Sequence, residues 1–118
     1  MALKIDLHVH TCYSPDGITT PREVVAYSKR RGLDGVAITD HNTVDGALKL
    51  LGKTGLIVIP GIEVTTSVGH VLALNLKKPI PSNLRPSETI QSIHNAGGMA
   101  VAAHPVTLSK GFNSKDIT

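Results

Sequence analysis

The sequence has no tryptophan, one phenylalanine and two tyrosines. A core built on aromatic rings is excluded, as is an aromatic platform on which single-stranded bases could stack. Cys12 is the single cysteine. An intrachain disulfide is therefore excluded, which fits a reducing compartment. No apolar run is long enough to span a bilayer, and the Met1-Ala2-Leu3-Lys4 start lacks a signal-peptide pattern. A soluble, cytoplasmic protein with no membrane partner is the expectation. Two further absences narrow the chemistry. There is no glycine-rich phosphate loop of the P-loop or dinucleotide kind, and no Gly-x-Ser-x-Gly elbow of a serine hydrolase.

What is present is aliphatic. The chain has 118 residues, 41% hydrophobic and 18% charged, enough for one small domain with its own core. Val, Ile, Leu and Ala must fill that core, a composition that suits parallel strands buried on both faces. The net charge of +3 is mildly basic. Lys29-Arg30-Arg31 precede Gly32, where a helix should stop, and read as cations at a helix C-terminus rather than a nucleic-acid patch. A basic exterior still attracts anionic substrates.

Strand and helix signals alternate along the chain. Strands are expected at 3–10, 35–39, 56–59 (continuing through Pro60-Gly61-Ile62-Glu63), 70–75 and 99–103, the fourth pairing antiparallel with 62–66 as one option. Helices are expected from the Thr20-Pro21-Arg22-Glu23 capping box to Gly32, from Thr43 to Leu51, and from a Ser87 cap to about Ala96. Residues 77–86, with three prolines, read as a surface loop, and the polar tail from Val106 as the cap of a helix whose body is absent. The alternation argues for parallel β/α architecture, in which strand C-termini share one face and ligands bind there.

The chemistry-bearing residues fall at those ends. Asp6-Leu7-His8-Val9-His10 closes what reads as a buried strand. Residues i and i+2 share a strand face, so His8 and His10 aim two imidazoles at one spot. Asp40-His41, Glu63 and His104 each sit at a strand's end, and Asp16 lies in the turn after the first strand. Neutral imidazoles and carboxylates are the donors that Zn²⁺ and Mn²⁺ accept. Any one histidine alone reads as an ordinary core or surface residue; the set together reads as a metal cluster. Six or more such groups exceed one four-coordinate ion, and Glu63 can bridge two. Paired ions about 3.5–4 Å apart clamp both oxygens of an in-line phosphoryl displacement, and a water they share is hydroxide-like near neutral pH.

Other candidates are less determined. His70, at the start of a strand, faces either the cluster or solvent, and parity favours the cluster. His94 is assigned to helix packing or surface, with no metal. Cys12 reads as a small hydrophobe more than as a soft ligand. Asp6 and Asp40 either orient ligands from behind or accept strand-end hydrogen bonds.

Asp6-Leu7-His8-Val9-His10-Thr11-Cys12-Tyr13-Ser14-Pro15-Asp16-Gly17 resembles the first motif of the polymerase-and-histidinol-phosphatase (PHP) family. Ile38-Thr39-Asp40-His41-Asn42-Thr43 resembles the second, Pro60-Gly61-Ile62-Glu63 the third, and Ala103-His104-Pro105 a later one. The resemblance implies an α/β fold, a distorted, TIM-like (β/α)7 barrel with parallel strands and two or three divalent metals at their C-terminal ends. These would be Zn²⁺ or Mn²⁺, with iron or Mg²⁺ as alternatives. It implies that His8, His10 and Glu63 hold one metal. Glu63 would bridge to a second held by His104 and His70, and Asp16 and His41 would hold the third. Glu63 and His41 are the residues it implies for catalysis.

The implied activity is hydrolysis of phosphate esters by a metal-bound hydroxide, on a phosphorylated small molecule or nucleotide. A nuclease or polymerase-associated exonuclease acting on nucleic acid is the alternative, as is a metal-binding module without catalysis. One departure matters. The family's barrel needs roughly twice this length. Its late Asp and His ligands do not follow His104, so on this alignment the first and third metals each lack a ligand. Residues 1–118 therefore read as the N-terminal portion of one PHP-type barrel domain, with a homo-oligomer completing the site if the chain is whole.

Overall fold

The computed structural model describes residues 2–52 and 54–103. Its elements follow the order β1 (Ile5–Val9), α1 (Pro21–Arg30), β2 (Gly35–Ile38), α2 (Asp45–Leu48), β3 (Ile57–Thr65), β4 (His70–Leu74), α3 (Pro86–Asn95) and β5 (Met99–Ala103). The five strands form one sheet in the order β1-β2-β3-β4-β5. Among the described residues, no helix is long and apolar enough to cross a membrane.

Beyond the first three strands the sheet is mixed, and β4 takes the antiparallel option against 62–66. β1, β2 and β3 are parallel, but β4 is antiparallel to both β3 and β5. The reason is the connection. Only Thr66 to Gly69 joins β3 to β4, far too short for a parallel crossover. Thr66 closes that turn: its N–H and its hydroxyl donate to Gly69 O at 2.8 and 2.7 Å. Two reversals then make β5 run with β3. The C-terminal ends of β1, β2, β3 and β5 and the start of β4 thus share one rim. Thr65 pairs with His70, and His70 with Ala103. His104 lies outside the described residues.

β3 changes partners midway. Residues 57–60 pair with β2, and 61–65 with β4. Gly61 sits at the changeover, and a Cβ there would lie 2.5 Å from Ala73 O and 3.1 Å from Thr39 Cγ2. The core is aliphatic as composition requires. β2 is buried throughout, and Ile62, Val64, Val71, Ala73 and Ile93 pack on the helix-covered face. Alternation therefore turns Glu63, Leu72 and His70 to the other face.

Some boundaries differ from the sequence pattern. β1 is an edge strand, not a buried one, and Leu7 is 46% exposed. α2 is a single turn, Asp45–Leu48, with Val44 at its N-cap position. Pro86 takes the first position of α3, which leaves Ser87 inside the helix and Arg85 at the cap. The 77–86 segment buries Ile80 in the core. Cys12 is exposed and packs as no hydrophobe, while His94 is on the surface as expected.

The Thr20 capping box forms in both directions, Glu23 N–H to Thr20 Oγ1 at 3.1 Å and Thr20 N–H to Glu23 Oε1 at 3.0 Å. Thr20→Ala is expected to lower stability by about 1 kcal/mol, read from the urea midpoint. The hydrogen bond from the Thr20 backbone holds the Glu23 carboxyl below its ordinary value of 4.5. The unfolded chain binds that proton more tightly. The contribution of Glu23 is therefore present above pH 4.5 and fades as pH falls through its lowered folded value. The stability deficit of Glu23→Ala should shrink over that window, and a deficit that stays constant would contradict the capping role of its carboxylate.

Candidate metal centre

The site is built on Glu63, which is fully buried near the C-terminal end of β3. The β2–β3 register carries on past Ile38–Pro60 to an isolated His41–Glu63 bridge. Glu63 N–H donates to Asp40 O at 2.9 Å, and Asn42 N–H to Glu63 O at 3.0 Å. Backbone alone therefore lays His41 beside Glu63. Asn42 adopts φ 55°, and its side chain locks onto Thr65 through both amide atoms, at 2.9 and 3.0 Å.

On the other side, β1 carries one extra residue relative to β2 between Asp6 and Val9. This is a bulge, which re-aims side chains next to functional sites. The His8 N–H, freed from the ladder there, donates to Asp6 Oδ1 at 3.0 Å. Of the two roles open to Asp6, the backbone bond is the one observed. His8 Nε2 and His10 Nε2 both lie 2.6 Å from Glu63 Oε1.

The remaining groups close the cluster. Asp16 Oδ2 is 3.3 Å from both His10 Nδ1 and His41 Nε2, and His70 Nδ1 is 3.3 Å from Glu63 Oε2. The rings of His8, His10, His41 and His70 follow one another with centroids 5.1, 4.5 and 5.3 Å apart. His70, left open between cluster and solvent by sequence, points at the cluster. Three overlapping trios result, in each of which the donor atoms lie within 4.8 Å of one another: His8–His10–Glu63, His10–Asp16–His41, and His41–Glu63–His70.

Electrostatics match this placement. Burial pushes the Glu63 carboxyl up. The hydrogen bonds from His8 and His10 and the pull of His8 and His41 outweigh burial and hold it below its ordinary value. Slight desolvation raises Asp16, and the pull of His10 and His41 overcomes it to a net lowering. Both carboxyls are thus held as anions, the form that ligates metal.

The donor set fits divalent ions. Two donors bound tetrahedrally at about 2.0–2.1 Å lie about 3.3–3.4 Å apart, the separation found at three contacts here. Six groups from β1, the loops after β1 and β2, β3 and β4 converge. Sequence reasoning missed two residues behind them, Thr11 and Ser14, whose hydroxyls both bind buried Asp40. Serine and threonine in a turn carry no distinguishing signal.

Comparisons with known proteins agree with this architecture. An uncharacterized protein of Methanocaldococcus jannaschii is 40% identical over 116 residues, covering 87% of this chain and 68% of the relative. That relative is itself shorter than the twofold length expected of a complete barrel. A 5'-3' exoribonuclease of Haemophilus influenzae is 33% identical over 88 residues, covering 69% of this chain and 32% of the enzyme. A crystal structure from Bifidobacterium adolescentis, assigned as a metal-dependent phosphoesterase, superposes with a TM-score of 0.76 at 21% identity. It covers 99% of this chain and 73% of that one. The shared fold is a five-stranded portion of a TIM-like α/β barrel. The PHP domain profile matches residues 6–104, and the chain belongs to the PHP domain family.

Proposed function

We propose that this chain is the N-terminal portion of a metal-dependent phosphate-ester hydrolase. The observation that carries the reading is the set of three overlapping donor trios gathered on Glu63, His10 and His41. One ion needs one such set; three sharing members suit neighbouring ions. The proposed ligands are His8, His10, Asp16, His41, Glu63 and His70, with His104 as a further one by its place in the family motif.

Divalent ions, Zn²⁺ or Mn²⁺, supply an acidified water and positive charge at the phosphoryl oxygens. The protein's own residues do the rest. Glu63 presents one oxygen to His8 and His10 and the other to His70, so a single carboxylate serves two trios. Its burial denies bulk water a competing claim on those oxygens. Asp16, 56% exposed, stands on the solvent side of the cluster, where a phosphate would arrive.

The test is hydrolysis of a generic phosphomonoester by the full-length protein with Mn²⁺ or Zn²⁺. Turnover that disappears on chelation and returns with metal is expected. Stoichiometric metal with no turnover would reject catalysis and identify a metal-binding module. The identity to an exoribonuclease supports a second reading, cleavage of nucleic-acid ends. That reading requires preference for an oligonucleotide over the small ester, weakened by salt.

A further inference from the structure

Asp40 is the least explained charged group in the fold. Its side chain is fully buried and faces the turn after β1. Oδ1 accepts from the Thr11 N–H and from the Ser14 hydroxyl at 2.7 Å, and Oδ2 accepts from the Thr11 hydroxyl at 2.7 Å. Ser14 Oγ then accepts the His41 N–H at 2.9 Å. Thr11 and Ser14 are themselves 0% and 3% exposed. A buried carboxylate needs such donors, and bonds to an ionised acceptor are about twice as strong as neutral ones. Neighbouring α2 makes room. A Cβ on Gly46 would lie 2.4 Å from Asp40 Oδ2 and 2.8 Å from Thr11 Oγ1.

The three trios depend on this knot unequally. His8 and Glu63 lie on β1 and β3, and His10 directly follows β1. Glu63 N–H donates to the Asp40 backbone oxygen, an atom that Asp40→Asn keeps. Asp16 has no strand behind it. It sits between Ser14 and Gly17, in a turn closed by Ser14 N–H to Thr11 O at 3.0 Å and Gly17 N–H to Ser14 O at 3.1 Å. The same Ser14 also holds the His41 backbone. We propose that Asp40 is a positioning residue that fixes the Thr11–Gly17 turn and so assembles His10–Asp16–His41 as a second, weaker metal subsite, separable from His8–His10–Glu63. This rests on the metal-binding reading above.

The experiment is a Mn²⁺ titration of the full chain, followed by calorimetry and by the electron paramagnetic resonance of bound Mn²⁺. Wild type is expected to show a tight and a weaker class. Asp40→Asn and Ser14→Ala should each weaken the second class about 10–100-fold and leave the first unchanged, the usual scale for groups behind the ligands. Thr11→Ser, which keeps the hydroxyl, should bind like wild type. Circular dichroism checks each fold, and if D40N is unfolded, S14A decides. Folded variants that keep both classes, or lose both equally, overturn the inference, as does a single class in wild type. A wild type that binds no Mn²⁺ overturns the metal reading as well.

Discussion

Glu63→Gln is expected to weaken Mn²⁺ or Zn²⁺ binding about a hundredfold or more, and to remove metal-dependent phosphoesterase activity with it. Removing a group that merely supports a ligand costs about 10–100-fold, and Glu63 is proposed as a ligand itself. It also belongs to two of the three trios. Glutamine keeps the shape and loses the charge. Its amide oxygen cannot bring an anion to two neighbouring cations, and its NH₂ turns a donor toward imidazoles that must offer lone pairs. Equilibrium dialysis against metal, with circular dichroism to check the fold, reads the effect. A folded E63Q that binds metal as wild type does would remove Glu63 from the centre.

The second large effect lies on the opposite face of the same strand. Ile62→Ala is expected to cost about 2–5 kcal/mol of unfolding free energy, because a fully buried side chain is deleted from a close-packed core. Ile62 is 0% exposed, packs in the core with Val64 and Val71, and pairs across β3–β4 with Ala73. The centre hangs on that strand, so metal should offset part of the loss. Mn²⁺ at about 100 times its dissociation constant should raise the stability of I62A by about 2.7 kcal/mol, provided the unfolded chain binds none. The same addition should do far less for E63Q. Urea midpoints of both variants with and without Mn²⁺ make the comparison. Equal rescue of both would mean that metal binds away from Glu63.

Much of the site was legible because strand geometry is local and strict. Two histidines at i and i+2 must share a face. Acidic and imidazole side chains at successive strand ends must meet if the strands run together. The aliphatic composition likewise required the kind of core that Val36, Ile38 and Ile62 form. The Thr20 cap was readable since its partner lies three residues away.

What could not be read depends on contacts distant in sequence. The reversal of β4 against 62–66 is one option the sequence allows, and the shortness of the Thr66–Gly69 turn decides for it; the direction of β5 follows only once β4 is placed. The bulge in β1 comes from its pairing with β2, 29 or 30 positions on, and from the Asp6 side chain taking the His8 N–H. Asp40, Thr11 and Ser14 form a knot that no spacing rule announces, since each residue type is common in turns. Among the described residues β1 and β5 are the outer strands of the sheet, and the exposure of Leu7 and Met99 on them is not specified by a periodic pattern.

The most direct test is diffraction from crystals grown with Mn²⁺, with anomalous data collected at the manganese edge. Peaks bonded by His8, His10 and Glu63, and by His41 with Asp16 or His70, are the expected result. Manganese bound elsewhere on the surface, with this rim left empty at saturating metal, would contradict the assignment of the cluster as a metal centre.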